Sequence, residues 1–350
     1  MFWNKLDNDV ERNSRNDQHN NTNIHLQNGF KFVNLTKSHY SVVHQLLSDH
    51  CFEGIYQIKY HEAYVHWILD NNISLFNLGV TDRGSDEREN VLIGILIVQL
   101  IKYQVGHEYV LIACPWKFCI QNSYRKTNVS YAMLYEMKKR LNENDIQNCI
   151  FIDTQHRLSH CFDISLCNIP VNYDRLYNLG LIDESFSSEL MHLPKDLILH
   201  LMTEKDISNV TNKLNEFNHC YLSAPWMDEE QTKKLLLPIK NIVYTFVKFD
   251  ENKNITDVIT FYYYHLIIDN ITLTIAQLGM YVNSTLSLEK LILASIPNLL
   301  YYGFDQIAYY DYGQLKDLKI ENYETSIKHY YSMIGPNKID DFNGFRFIPM

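Results

Sequence analysis

The chemistry-bearing stretch runs from Cys114 to Ser130. CPWKFC at 114–119 is followed by a polar, basic turn at 121–128, and then by Val129, Met133, Met137 and Leu141 at a spacing of four. A strand that empties through a basic turn into a helix offers unpaired N–H groups and a positive dipole end, which suits a phosphate. The phosphate of a cofactor is the first expectation, although Arg125 and Lys126 also fit an ordinary solvated turn. Pro115 has no N–H to give a strand ladder, so its place in an apolar run implies a bulge. Bulges leave backbone N–H groups free to face a substrate oxygen. His156, His160, Cys161 and Cys167 invite a zinc reading, but their spacing matches no common zinc site, and core and loop roles fit better. No metal is expected.

Two runs of elements must position these residues. In the first half, 40–50 and 61–69 have helical spacing, 73–80 and 91–100 read as strands around the charged loop 81–90, and 109–113 is the strand entering the site. After the helix from Val129, residues 148–153 form another strand. The second half repeats this order. Residues 199–203 and a helix over 206–217 lead in, and strands follow at 241–249, 255–264 and 271–282, with 250–254 as a hairpin turn. A helix over 286–302 is closed by Gly303, and 304–310 is the last clear strand. Tyr262, Tyr263 and Tyr264 read as strand packing. The doubled order of strand, strand, strand, helix, strand predicts two similar halves related by a pseudo-twofold. The boundary falls near Leu193 and Pro194, giving 29–193 and 194–350 behind an irregular, polar segment at 1–28.

The 350 residues carry a net charge of −10, and no basic stripe is visible, which argues against nucleic acid as a partner. No apolar run reaches the ~20 residues needed to cross a bilayer, and the first residues do not form a signal peptide. A cytoplasmic monomer is expected. Seven cysteines, an odd number and several of them in core-like strands, fit reduced thiols. Phe2 in place of glycine means that the chain is not itself a target for N-myristoylation.

Several segments, in order, resemble the glycylpeptide N-tetradecanoyltransferases, or N-myristoyltransferases. CPWKFCIQ at 114–121 is similar to that family's E-[IV]-N-F-L-C-x-H, RKTNVS at 125–130 to R-S-K-R-[VL]-[AT], and NYDRLY at 172–177 to N-W-K-K-L-Y. Weaker matches continue through 202–207, 241–247, 256–262 and 303–305, and Phe2 and Trp3 resemble the pair that opens the family's catalytic core. The resemblance spans nearly the whole chain. It implies an α/β (α+β) fold in which two acyl-CoA N-acyltransferase-like halves share a saddle-shaped mixed sheet flanked by helices.

The implied reaction is attack by the N-terminal glycine amine of a protein on the thioester of myristoyl-CoA, the co-substrate, without a covalent enzyme intermediate. The resemblance assigns the oxyanion hole to the backbone amides of Lys117 and Phe118, the base to the C-terminal carboxylate of Met350, and orientation of the amine to Thr154. Its cofactor contacts are Phe2, Trp3, Phe118, Cys119, Ile120 and the turn Arg125, Lys126, Thr127, Asn128, Val129 and Ser130. Thr127 and Asn128 stand where the family has Lys and Arg, which weakens the expected phosphate grip. Substrate contacts carry over to Tyr56, Ile58 and Tyr60, and to Glu324 where the family's glycine-rich K-F-G-x-G-D-G has been lost. A weaker preference for basic residues downstream of the substrate glycine follows. Two alternatives stay open: an acyl-CoA transferase of other chain length, or an impaired relative that binds without turnover.

Overall fold

The structure is a computed structural model that describes residues 29–53, 56–83, 90–153, 162–183, 197–318, 320 and 323–334. The described strands are β1 (Phe30–Asn34), β2 (Phe52–Glu53), β3 (Tyr56–Lys59), β4 (Asn77–Asp82), β5 (Val91–Val105), β6 (Glu108–Ile120), β7 (Asn148–Asp153), β8 (Phe162–Pro170), β9 (His200–Leu201), β10 (Ser223–Pro225), β11 (Val243–Phe249), β12 (Ile255–Ile268), β13 (Ile271–Asn283), β14 (Gln306–Tyr310) and β15 (Tyr323–Ile334). The α-helices are α1 (Tyr40–His50), α2 (Glu62–Asp70), α3 (Val129–Asn142), α4 (Tyr173–Asn178), α5 (Ile207–Asn218), α6 (Glu229–Leu236) and α7 (Leu288–Tyr301).

The doubled order is borne out. β4-β5-β6-α3-β7 and β11-β12-β13-α7-β14 each consist of three antiparallel strands and a helix that crosses over to a parallel strand. A parallel pair needs such a long crossover, because a tight hairpin can join only antiparallel strands. Both parallel contacts are short. β6 meets β7 only at Ile112 and Ala113, and β13 meets β14 only at Ile275, Ala276 and Gln277. Past these residues the strands separate, and each half opens into a cleft.

All fifteen strands belong to one mixed sheet, along the path β1-β4-β5-β6-β7-β15-β8-β14-β13-β12-β11-β9. The halves exchange strands. β8 pairs with β14, β3 pairs with β12, and β10 pairs with β5. β15 lies between β7 and β8. Residues 304–310 are therefore not the last strand. β15 carries Thr325, Ser326, Lys328, His329 and Ser332 among its apolar residues, and this mixture hides the strand period in the sequence. β8 was hidden in the same way. Residues 73–76 are not strand either: Ser74–Phe76 is a 3-10 turn, and β4 starts at Asn77.

Local chemistry explains the boundaries. The i+4 stripe of α3 (Val129, Met133, Met137, Leu141) is buried against Leu78, Val80, Ile93 and Leu96 of the sheet. Gly94 admits the helix, since a Cβ there would lie 3.0 Å from the Met133 sulfur. In the β11–β12 turn, Asp250 Oδ1 accepts from the amides of Asn252 and Asn254, both at 2.8 Å. Gly303, at φ +81°, ends α7 as expected.

Candidate active site

The bulge implied by Pro115 lies at the next residue. Pro115 is opposite Val98 and Lys117 is opposite Ile97, so Trp116 is the extra residue of β6. The insertion reverses the facing of the strand. Before it, Ile112, Cys114 and Trp116 pack toward the α1–α2 core, while Ala113 faces the α3 core. After it, Cys119 faces the α1–α2 core, and Phe118 and Ile120 face α3. Two successive side chains, Trp116 and Lys117, thereby point to the α2 side. The Trp116 ring stacks on Trp67 at 5.4 Å, and the Lys117 ammonium lies 4.6 Å from the centre of the Tyr60 ring and 5.5 Å from that of Tyr64.

These residues border a cavity of about 220 Å³ where the two halves meet. α2 contributes Tyr64 and Trp67, the bulge contributes Trp116, Lys117 and Phe118, and β3 with the residue after it contributes Ile58 and Tyr60. From the second half come Tyr262, Tyr263 and Tyr264 of β12, Gln277 of β13 and Tyr310 of β14. Cys51 and Phe52 complete the lining. Gln277 is the last residue of β13 before it parts from β14. The cavity thus sits at the opening of the second half's strands and beside the bulge of the first. Its walls are aromatic and dry: burial raises the Tyr64 and Tyr262 hydroxyls well above the ordinary phenol range.

The basic turn follows the end of β6. Arg125 donates from Nε to Ile120 O at 3.1 Å and from a terminal nitrogen to His50 O, which fastens the exit of β6 to the end of α1. Lys126 and Asn128 are exposed, and the Thr127 hydroxyl donates to Tyr124 O at 2.6 Å. The first turn of α3 has no acidic residue, Asn128 gives it no side-chain cap, and Val129 N donates a long bond to Thr127 Oγ1 at 3.4 Å, so its end is positive. A hollow of about 730 Å³, lined by Asp49, His50, Asn90 and Gln121 among others, runs along α1 next to this turn.

The structure brings together Ile58, Tyr60, Lys117 and Phe118. Tyr56 and Ile58 both pack against the Leu166 and Leu176 cluster, but only Ile58 also borders the cavity. The side chains of Cys119, Ile120 and Val129 are in the core, which leaves only their backbone for a ligand. The Cys119 thiol is pushed far up by burial. The backbone of Glu324 is opposite Cys167 in β15. Phe2, Trp3, Thr154 and Met350 lie outside the described residues. Sequence reasoning missed Tyr64, Trp67, Gln277 and Tyr310, and it read Tyr262–Tyr264 as packing, whereas all three border the cavity. Three successive tyrosines on one strand were a usable signal, since alternation cannot bury all three in one core.

The sheet, the doubled crossover unit and the central cleft define an N-acyltransferase fold. Saccharomyces cerevisiae N-myristoyltransferase with bound myristoyl-CoA superposes with a TM-score of 0.78 at 15% identity, over 94% of this chain and 86% of that one. A GCN5-related N-acetyltransferase from Anabaena variabilis superposes with a TM-score of 0.50 at 12% identity, over 87% and 72%. Residues 9–164 match the family described as myristoyl-CoA:protein N-myristoyltransferase, N-terminal domain, and 185–295 match its C-terminal domain. A putative glycylpeptide N-tetradecanoyltransferase of Acanthamoeba polyphaga mimivirus is 30% identical over 307 residues, 85% of this chain and 84% of the relative. The chain belongs to the N-myristoyltransferase family and is an acyltransferase. Among the described residues no helix is long and apolar enough to cross a membrane, and no group of three metal-ligating side chains is found.

Proposed function

We propose that the protein transfers myristate from myristoyl-CoA to the N-terminal glycine amine of substrate proteins. The observation that carries this reading is the bulge at Trp116, which borders an aromatic cavity on the strand that runs on to a donor-rich helix start. Acyl-CoA as substrate fits this arrangement. Its phosphates suit the positive first turn of α3 with Lys126, Asn128 and Ser130 nearby, and its thioester suits the bulge.

The chemistry asks for positioning rather than a covalent relay. The thioester carbonyl oxygen is polarised by the backbone N–H groups of Lys117 and Phe118, which follow the bulge at Trp116. The glycine ammonium first loses a proton to the Met350 carboxylate. Its nitrogen then attacks the carbonyl carbon; as the tetrahedral adduct collapses the C–S bond breaks, the nitrogen's second proton passes to the departing CoA sulfur, and the proton held by Met350 goes to solvent. Thr154 orients the amine. An α-carboxylate has a reference pKa of ~3.5, so this role requires a buried, apolar setting that raises it. Phe345, Phe347, Ile348 and Pro349 supply such a sequence. Phe2 and Trp3 are proposed to cover the cofactor, with 29–193 as the acyl-CoA half and 194–350 as the peptide half.

Deleting Pro349 and Met350 tests the reading. Transfer of labelled myristate to glycine-starting peptides should be lost while acyl-CoA binding is kept. Unchanged turnover would remove Met350 from the mechanism. Competition among acyl-CoAs of different length would separate a myristoyl preference from another chain length.

A further inference from the structure

The cavity wall holds hydrogen-bonding groups that no described residue answers. Trp116 Nε1, Gln277 Nε2 and the Tyr262 hydroxyl are without a hydrogen-bond partner among the described residues, and the three residues are only 5%, 6% and 5% exposed. All three border the same cavity. Tyr262 and Gln277 are directly opposite each other on β12 and β13, so their side chains share one face of the sheet. Tyr262 and Trp116 flank a common ring, that of Trp67, at 6.2 and 5.4 Å between centres. A buried polar group with no partner is destabilising, and native interiors keep few of them. Packing does not require these three, since Phe or Met would fill much the same space.

We infer that this wall is a subsite for a neutral carboxamide, the side chain of an Asn or Gln close behind the N-terminal glycine of the peptide substrate. The inference rests on the reading of this cavity as the peptide's approach to the thioester. Hydrogen-bond chemistry selects the amide. Trp116 Nε1 and Gln277 Nε2 can only donate, and a carbonyl oxygen has two lone pairs to receive them. The Tyr262 hydroxyl can accept as well as donate, so it takes the N–H of the same amide. An aliphatic side chain of equal shape leaves all three groups bare. A carboxylate has no hydrogen to give, and it would bring its charge to a wall where burial is the one influence on the Tyr262 phenol and keeps it un-ionised. Trp116 directly precedes Lys117, whose N–H faces the thioester oxygen, so the amide belongs on the second, third or fourth residue of the peptide.

The test is kcat/KM with myristoyl-CoA for glycine-starting peptides that carry Asn, Leu or Asp, three side chains of similar shape, at the second, third or fourth position in turn. Transfer to the leucine peptides reports on the proposed function by itself. The Asn-to-Leu ratio reports on the subsite. The wild type should favour Asn over both Leu and Asp by about tenfold at one of the three positions. Tyr262→Phe and Gln277→Met each remove one hydrogen-bonding group with little change of shape, and each should lower the Asn-to-Leu ratio several-fold. Because the ratio is taken within each variant, a general loss of activity or stability cancels. Tyr262→Phe should also leave the free protein at least as resistant to urea as the wild type, since the hydroxyl it deletes gains a partner only when the peptide arrives. If no peptide is turned over, the proposed function fails, and the ratio is read instead from peptide dissociation constants on protein loaded with a non-hydrolysable thioether analogue of myristoyl-CoA. A wild-type ratio near one at all three positions overturns the inference. So does an Asp peptide that matches its Asn counterpart, or a ratio that neither substitution changes.

Discussion

The guanidinium of Arg175 on α4 is ion-paired with the carboxylate of Asp305, 130 residues further along the chain. Asp305 is 1% exposed and stands between α7 and β14. Its Oδ2 also accepts from Thr274 N at 2.7 Å, and its carbonyl accepts from the amides of Val171 and Asn172. A helix of the first half is thereby tied to the crossover strand of the second, where the pairing of β13 and β14 begins. Arg175→Met leaves a buried carboxylate with only a neutral donor. Because the arginine itself is 43% exposed, the cost is set at about 2–3 kcal/mol, below the range for a wholly buried pair. Urea unfolding should show a lower midpoint. A change under about 0.5 kcal/mol, the size of an ordinary surface substitution, would show that the pair does not hold the halves together.

The same pair shows what could be read in advance. Both residues fall in segments whose resemblance to the family is visible in the sequence, at 172–177 and 303–305, yet nothing in either segment says that they meet. The doubled element order was legible because hydrophobic period and turn chemistry are local. The bulge was legible because proline lacks a donor, although the sequence could not say that the extra residue is Trp116. β8 and β15 escaped because strands buried by partners distant in sequence need not alternate clearly. The cavity escaped for a related reason. Its wall is assembled from α2, β3, β6, β12, β13 and β14, and no window of sequence contains more than a few of its residues.

Thiol reactivity follows from burial. Cys220 is exposed and Cys114 half-buried, while Cys119 and Cys149 are buried, with the Cys149 thiol pushed up to about 12 by burial. At neutral pH the thiolate fraction of Cys149 is roughly a thousandfold below that of an ordinary cysteine. Alkylation of the native protein followed by mass spectrometry should modify Cys220 early and Cys119 and Cys149 only on unfolding. Rapid modification of Cys119 in the folded protein would show that its thiol is not shut off from solvent.

His265 on β12 gives the fold a pH dependence of known sign. Burial holds its imidazole below the ordinary value of 6.5, favouring the neutral ring whose Nε2 meets Tyr263 OH at 2.9 Å. Asp305 acts in the opposite direction, and Lys59 and His61 act with burial. The unfolded chain takes up this proton more readily than the folded one. The neutral ring's contribution is therefore complete above about pH 6.5 and is lost as pH falls through the lower folded value. In His265→Gln the unfolding free energy should vary less with pH below about 6.5 than in the wild type. Parallel curves for the two proteins would show that this histidine titrates alike in both states.

Gly279 on β13 controls the width of the cavity from behind. A Cβ at this position would lie 2.6 Å from Cε2 and 3.2 Å from Cδ2 of Tyr262, with Thr260 O at 3.3 Å on the backbone side. The backbone cannot yield as readily as the ring, so Gly279→Ala displaces Tyr262. That ring is flanked by Trp67, at 6.2 Å between centres, and by the cavity. Overpacking of this kind costs about 1–3 kcal/mol of stability. The larger effect expected is on binding, because the displaced ring intrudes on the space a peptide would take. KM for the peptide should rise several-fold while acyl-CoA affinity changes little. Adding Tyr262→Leu to Gly279→Ala removes the clash and should return part of the lost affinity, an outcome that general destabilisation does not produce. Equal losses in the single and double variants would place the effect in the sheet and not in the cavity.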